Sequence, residues 1–165
     1  MKHIILTISI VFYAHIGIAQ QDLISTNGDN QDNTINSNEI TINNVNVFSN
    51  EISVLTQNIG QPDTVEDYFF EIQDVMAQKY YYDGLILYVI DDKVETFQIS
   101  GTNYSFTNHN IAIGNNINTL ASIYPSSYDN RSLGGMTLDL EDADMYIIIS
   151  FDLNNIIDRI SLHNY

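Results

Sequence analysis

Four carboxylates within six residues, in Asp139-Leu140-Glu141-Asp142-Ala143-Asp144, form the densest cluster in this sequence able to hold a hard cation. Calcium is bound by several carboxylate and carbonyl oxygens at once, so Asp139, Glu141, Asp142 and Asp144 are the candidate ligands. The run has neither the glycine nor the spacing of an EF-hand loop, and it reads first as a solvated turn between two strands. Histidine adds little. His3 and His15 fall in an N-terminal export signal, and His109 and His163 stand apart in polar contexts that suit surface positions. No serine sits in a Gly-x-Ser-x-Gly elbow, no glycine loop is built to cradle phosphate, and Gly134-Gly135 reads as a turn. Nothing in the spacing of the 21 acids selects a pair suited to glycoside hydrolysis. The absence of cysteine removes thiol chemistry and thiolate-bound metals. The sequence therefore carries no catalytic constellation and implies no cofactor; the expected activity is non-enzymatic binding.

Charge narrows the partner. Once an export signal containing Lys2 is removed, 21 acids stand against Lys79, Lys93, Arg131 and Arg159, a net −17. Nucleic-acid binding needs cations to neutralise phosphates, so that class is excluded, and an anionic membrane surface is disfavoured for the same reason. Acidity keeps an exported protein soluble; its sharper use would be to hold a basic partner protein or a divalent cation. The run Tyr80-Tyr81-Tyr82 is the most unusual local feature. On a strand two of the three rings point one way, so at least one leaves the core, and tyrosine is favoured in interfaces. Asn103-Tyr104-Ser105 and Asn130-Arg131-Ser132 match the glycosylation acceptor pattern, relevant only in a host that glycosylates.

The elements that must position these residues begin after the export segment. Lys2-His3, the apolar run Ile4 to Phe12, and Gly17-Ile18-Ala19 read as a signal peptide over 1–19, with the mature chain starting at Gln20. The apolar stretch is shorter than the roughly 20 residues a membrane-spanning helix needs, so no span is expected after cleavage. Without a cysteine at the cleavage site the chain cannot be a lipoprotein, and the expected location is the periplasm or the cell exterior. Residues 20–39, rich in Asn, Asp, Gln, Ser and Thr, read as a flexible leader.

From residue 40 the chain repeats itself. Residues 62–100 and 125–163 align without a gap at an offset of 63: Pro62 matches Pro125, and the strand Val94 to Ile99 matches Ile157 to Leu162. Further back, Val45-Asn46-Val47 corresponds to Ile111-Ala112-Ile113, Asn50 to Asn116, and Ile52, Leu55 and Ile59 to Ile117, Leu120 and Ile123. Asn50 and Asn116 are expected helix N-caps, each followed by about two helical turns. Gly60 and Pro62 end the first helix. Strands are expected at Glu66 to Ile72, Gln78 to Tyr82, Leu85 to Ile90 and Val94 to Ile99, then at Met136 to Leu140, Ile148 to Leu153 and Ile157 to Leu162. Two-residue turns at Asp91-Asp92 and Asn154-Asn155 close two hairpins. The expected fold class is α+β: a tandem duplication of a short helix plus an antiparallel sheet of about four strands, with a first unit at 40–107 and a second at 108–165. Together they form one curved open sheet with helices on one face.

A plain two-residue turn sets Ile86 opposite Phe97 and Ile149 opposite Ile160. Ile86, Tyr88, Phe97, Ile99, Ile149, Phe151, Ile160 and Leu162 then share the core face. Leu85, Leu87, Thr96, Gln98, Ile148, Ser150, Arg159 and Ser161 share the other face. With Tyr80 and Tyr82 these eight are the candidate residues for binding a protein partner.

The duplicated helix-plus-sheet unit resembles the β-lactamase-inhibitor-like fold, in which two αβ repeats build one long sheet. Each helix with its following Pro, as in Leu55…Gly60-Gln61-Pro62, is similar to the small outer-membrane assembly lipoproteins of the SmpA/OmlA (BamE) type. The inhibitor proteins carry disulfides, absent here, and the assembly proteins are single-unit lipoproteins. The resemblance implies an inhibitor-like or immunity-like binding protein, or else a structural component of the cell envelope, and it transfers no functional residue.

Overall fold

The computed structural model describes residues 34–71 and 74–165. The expected signal peptide, the leader up to residue 33, and Ile72 lie outside the described residues. In chain order the strands are β1 (Thr34–Ile35), β2 (Thr41–Ile42) and β3 (Val45–Asn46), followed by the helix α1 (Ile52–Ile59). Next come β4 (Thr64–Phe70), β5 (Val75–Tyr82), β6 (Leu85–Ile90), β7 (Lys93–Ile99), β8 (Ser105–Phe106) and β9 (Ile111–Ala112). A 3-10 turn (Ile117–Ser122) and α2 (Pro125–Asp129) then lead to β10 (Gly135–Leu140), β11 (Met145–Phe151) and β12 (Ile157–Asn164).

The chain is mixed α and β, rich in strand, around a curved open sheet of eight strands in the order β1-β10-β11-β12-β7-β6-β5-β4. All its neighbours are antiparallel except β1 with β10. From the β12–β7 seam outward the order runs β12-β11-β10 on one side and β7-β6-β5 on the other. At that seam Gln98 faces Ser161, two positions 63 apart in sequence. A second sheet, β3-β2-β8-β9, joins the stretch before α1 to the stretch before the 3-10 turn.

One core holds these layers together. Ile52 and Leu55 of α1, Ile117 and Leu120 of the 3-10 turn, and Ile42, Phe106 and Ile111 of the small sheet pack on Leu85, Leu87, Phe97, Ile99, Ile147, Ile149, Ile160 and Leu162. Both short helical segments owe their stability to that burial, since helices of this length are marginal alone. Asn116 caps the 3-10 turn, its side chain accepting from the Asn118 N–H at 2.9 Å. Asn50 does not cap α1, contrary to expectation. Its amide instead donates to the Asn46 carbonyl at 2.8 Å, and Glu51 is the capping residue, without a side-chain bond. The second segment tightens into 3-10 geometry and stops at Ser122, ahead of Pro125, which opens α2.

The first hairpin turns as expected but pairs differently. Asp91 and Asp92 both take positive φ, at 47° and 62°, as a type I′ turn requires. Val89 then faces Val94, but Tyr88 faces Thr96, so Glu95 is an extra residue in a bulge. Beyond it Leu87, rather than Ile86, faces Phe97. Leu85 and Leu87 are therefore core residues, 1% and 0% exposed, while Ile86 and Tyr88 lie on the opposite face. In the second hairpin Ile149 does face Ile160, but the loop runs from Asp152 to Ile156, longer than two residues. The Asp152 carboxylate organises it by accepting from the N–H groups of Asn154 and Ile156.

Between β5 and β6, Gly84 has φ +79°, and a Cβ there would lie 2.3 Å from the Gly101 Cα. The Gly84 carbonyl accepts from the N–H groups of both Ser100 and Gly101 at 2.8 Å. Only two glycines permit this backbone contact, which ties the β5–β6 turn to the chain leaving β7. Among the described residues no helix is long and apolar enough to cross a membrane.

Candidate functional site on the helix-free sheet face

Helices and the small sheet occupy one face of the eight strands, so the other face is where side chains of the sheet meet solvent. Alternation places Thr96 and Gln98 of β7, Arg159, Ser161 and His163 of β12, and Tyr146, Ile148 and Ser150 of β11 on it. Of the expected binding residues, Thr96, Gln98, Ile148, Ser150, Arg159 and Ser161 are brought together there. Leu85 and Leu87 are corrected to the core by the Glu95 bulge. Tyr82 is also corrected: it faces Leu85 on the core side and is 8% exposed. Its hydroxyl finds no hydrogen-bond partner, and burial pushes its pKa up to about 12. Tyr80, opposite Leu87, packs against the core as well. The middle ring, Tyr81, pairs with Ile86 and takes the helix-free face.

A groove of about 470 Å³ crosses this face at the β7–β12 seam. Thr96, Gln98 and Ser161 form its polar floor. One wall is a ring cluster: Tyr68 meets Phe70 edge-on at 5.0 Å and Tyr88 at 5.5 Å, and Phe70 lies 5.7 Å from Tyr88. Tyr68 and Phe70 share a face because they are two apart on β4. Lys79 Nζ sits 4.1 Å from the Tyr68 ring centre and 4.8 Å from that of Tyr88, two cation–π contacts of about 0.5–1 kcal/mol each at such sites. Burial draws the Lys79 pKa down, but the hydrogen bond to Tyr88 and the neighbouring phenols of Tyr88, Tyr81 and Tyr68 outweigh it and hold it above its ordinary value.

The opposite wall is built from the chain's last residues. His163 stacks on Tyr146 with 5.3 Å between ring centres and 21° between planes, and Tyr146 lies 4.7 Å from Tyr165. Ser161 Oγ and His163 Nε2 are 2.8 Å apart, and the Tyr165 hydroxyl donates to Asp139 at 2.5 Å. Burial lowers the His163 pKa, so the neutral ring is favoured. The bond to Asp139 raises that of Tyr165. This wall was not legible as such: His163 reads as a lone surface histidine, and the ring it stacks on, Tyr146, comes from β11. The i, i+2 spacing in Tyr68-Phe69-Phe70 was the one available signal for the first wall.

The acidic run is spent on packing the N-terminal edge. Glu141 accepts from the Thr34 hydroxyl at 2.6 Å and from the Asn36 amide at 3.2 Å, and Asp142 accepts from Ser37 N–H at 2.9 Å and Ser37 Oγ at 2.6 Å. The two Ser37 bonds hold the Asp142 carboxyl below its usual pKa. Residues 34–39, expected to be leader, thus form β1 and a 3-10 turn held by these carboxylates. Among the described residues no group of three or more His, Asp or Glu side chains is arranged to hold a metal ion.

No family model matches the sequence, and no curated protein matches it significantly. The fold is similar to the 1.5 Å crystal structure of an extracellular protein containing an SCP domain from Bacillus anthracis str. Ames. Identity is 14%, with a TM-score of 0.47 over 84% of this chain. The chain spans about half of that protein, 47% of its length, and a likeness at this level carries no argument about function.

Proposed function

We propose that this is an exported, non-enzymatic binding module that holds a partner protein on the helix-free face of its sheet, in the manner of an inhibitor or immunity factor. The observation that supports it is the groove: two walls, Tyr68-Phe70-Tyr88 and His163-Tyr165 with Tyr146 packed against both, flank a floor of Thr96, Gln98 and Ser161. Rings held by their neighbours offer large contact area at small entropic cost, the composition of interface hot spots. Export to the periplasm or exterior is part of this reading and is supported by the signal-like pattern of the N-terminal residues.

The sheet has a tandem duplication at its origin in this reading. The offset of 63 in sequence, the mirrored strand order about the β12–β7 seam, and the Gln98–Ser161 pair across it support that origin. The groove then lies where the two units meet, and the difference between Gln98 and Ser161 is a difference at a binding surface.

Immobilised mature chain and its Tyr88→Ala/Gln98→Arg variant, both checked for unchanged melting, are exposed to envelope extract and to secreted fractions. A soluble enzyme or toxin held at stoichiometric level by the parent and lost by the variant is the expected result. Equal capture by both removes the groove from recognition. Recovery of outer-membrane assembly machinery would instead favour a structural role in the envelope.

A further inference from the structure

The two edges of the large sheet are treated differently. At one, the chain closes its own edge: β1 pairs with β10, anchored through Glu141 and Asp142, and α2 packs beside β10. At the other, β4 pairs with β5 through all seven of its residues without a bulge, and among the described residues no strand pairs with its outer side. Residues Thr64 to Phe69 are exposed. The strand holds no proline and no lysine, two devices that commonly blunt a free edge. Apolar side chains stand on both of its faces: Val65 and Phe69 on one, Tyr68 on the other, with Met76 of β5, 59% exposed, beside Phe69. At about 3.4 Å per residue this is an edge roughly 24 Å long, with unpaired backbone donors and acceptors.

Charge identifies what fits it. From Asp63 to Asp74 the chain has the acids Asp63, Glu66, Asp67, Glu71 and Asp74 and no base. A second copy laid antiparallel about the middle of β4 would set Asp67 against Asp67, and like charges opposed across strands are destabilising. Glu66 and Asp67 point to opposite faces of the sheet, so a matching strand carries two consecutive cations with apolar or hydroxyl residues on either side. We propose that β4 is a strand-addition site for an extended basic segment of a partner protein, held by main-chain hydrogen bonds and by cations opposite Glu66 and Asp67. The contact proposed here is the backbone edge of β4, whose Tyr68 and Phe70 also line the groove; protection along β4 without protection at Gln98 and Ser161 tells this reading from the groove's.

The probe is a seven-residue, end-blocked L-peptide, Val-Val-Thr-Lys-Lys-Val-Thr, which in antiparallel pairing sets its lysines against Asp67 and Glu66. It is titrated into the full chain at low salt, and backbone amides are followed by NMR and hydrogen exchange. The expected result is slowed exchange confined to β4. N-methylation of alternate peptide residues in one phase should abolish binding, while the other phase leaves it intact, because only one edge of the peptide meets β4. Replacing the lysines by glutamates, or the Glu66→Lys/Asp67→Lys substitution in the protein, should weaken binding at least about fivefold. Both substituted sites are exposed, and an unchanged melting curve verifies the fold. Equal binding by both methylated phases, equal binding by the glutamate peptide, protection at Gln98 and Ser161 instead of β4, or a peptide-blocked dimer of the chain itself would each overturn the proposal.

Discussion

Substituting Leu87 and Ile86 in parallel tests the register on which every face assignment depends. Leu87 is fully buried opposite Phe97, amid the residues that α1 covers. Leu87→Ala removes three carbons from a close-packed site and leaves a cavity, at a cost of about 3 kcal/mol within a range of roughly 2–5. Ile86 is its neighbour in sequence and similar in volume, but it is half-exposed on the helix-free face opposite Gln98. Ile86→Ala gives up only part of a side-chain burial, about 1 kcal/mol. At roughly 4 °C per kcal/mol for a domain of this size, melting falls by about 12 °C in the first variant and about 4 °C in the second. Urea unfolding followed by far-ultraviolet circular dichroism gives the same difference as a shift in midpoint at constant slope. If Ile86→Ala costs as much as Leu87→Ala, Glu95 is not a bulge, Ile86 faces Phe97, and the groove is wrongly drawn.

Gly101→Ala places a Cβ 2.8 Å from the Gly84 Cα, so the β5–β6 turn must separate from the end of β7. A loss of about 1–3 kcal/mol is expected in the same urea assay, and an unchanged midpoint would refute the close contact. His163 has a folded pKa lowered from 6.5, so the folded state binds the proton less well than the unfolded state. Its contribution is present above pH 6.5 and is lost as pH falls through the lowered value. Relative to His163→Gln, wild type should therefore lose melting temperature between about pH 7.5 and 5; parallel curves would sink this. Asp142 titrates below the ordinary carboxylate value of 3.8 because Ser37 donates to it twice, so its hold on the turn after β1 is present above 3.8 and is lost as pH falls through the lowered pKa. Asp142→Ala should speed exchange at the Ser37 amide at neutral pH while leaving that at Ile147 unchanged. Equal rates at Ser37 in both proteins would show that this turn is held otherwise.

Much of the architecture was legible because it is local. Alternation and turn chemistry locate β6 and β7 to within one residue, since Asp91-Asp92 tolerates the positive φ of the turn. Spacing of Ile117 and Leu120 finds the second helical segment, and residues two apart on a strand find the six helix-free-face positions that hold. What alternation could not do was choose a face for β6, because Leu85-Ile86-Leu87-Tyr88-Val89-Ile90 is apolar throughout and either register buries a hydrophobic set. A single inserted residue, Glu95, settled that choice through strand pairing and moved Leu85, Leu87, Tyr80 and Tyr82 out of the expected surface. The acidic run shows the same division. Its composition is compatible with a cation site, but Thr34, Asn36 and Ser37, which take up its oxygens, lie more than a hundred residues away. By itself the sequence determined the acidity, the long central strands and the Asp91-Asp92 turn, set by composition and by interactions between near neighbours. Only the tertiary structure decided which side chains share the groove, which carboxylates are already engaged, and which sheet edge stays open, because those follow from pairings between segments that no local pattern encodes.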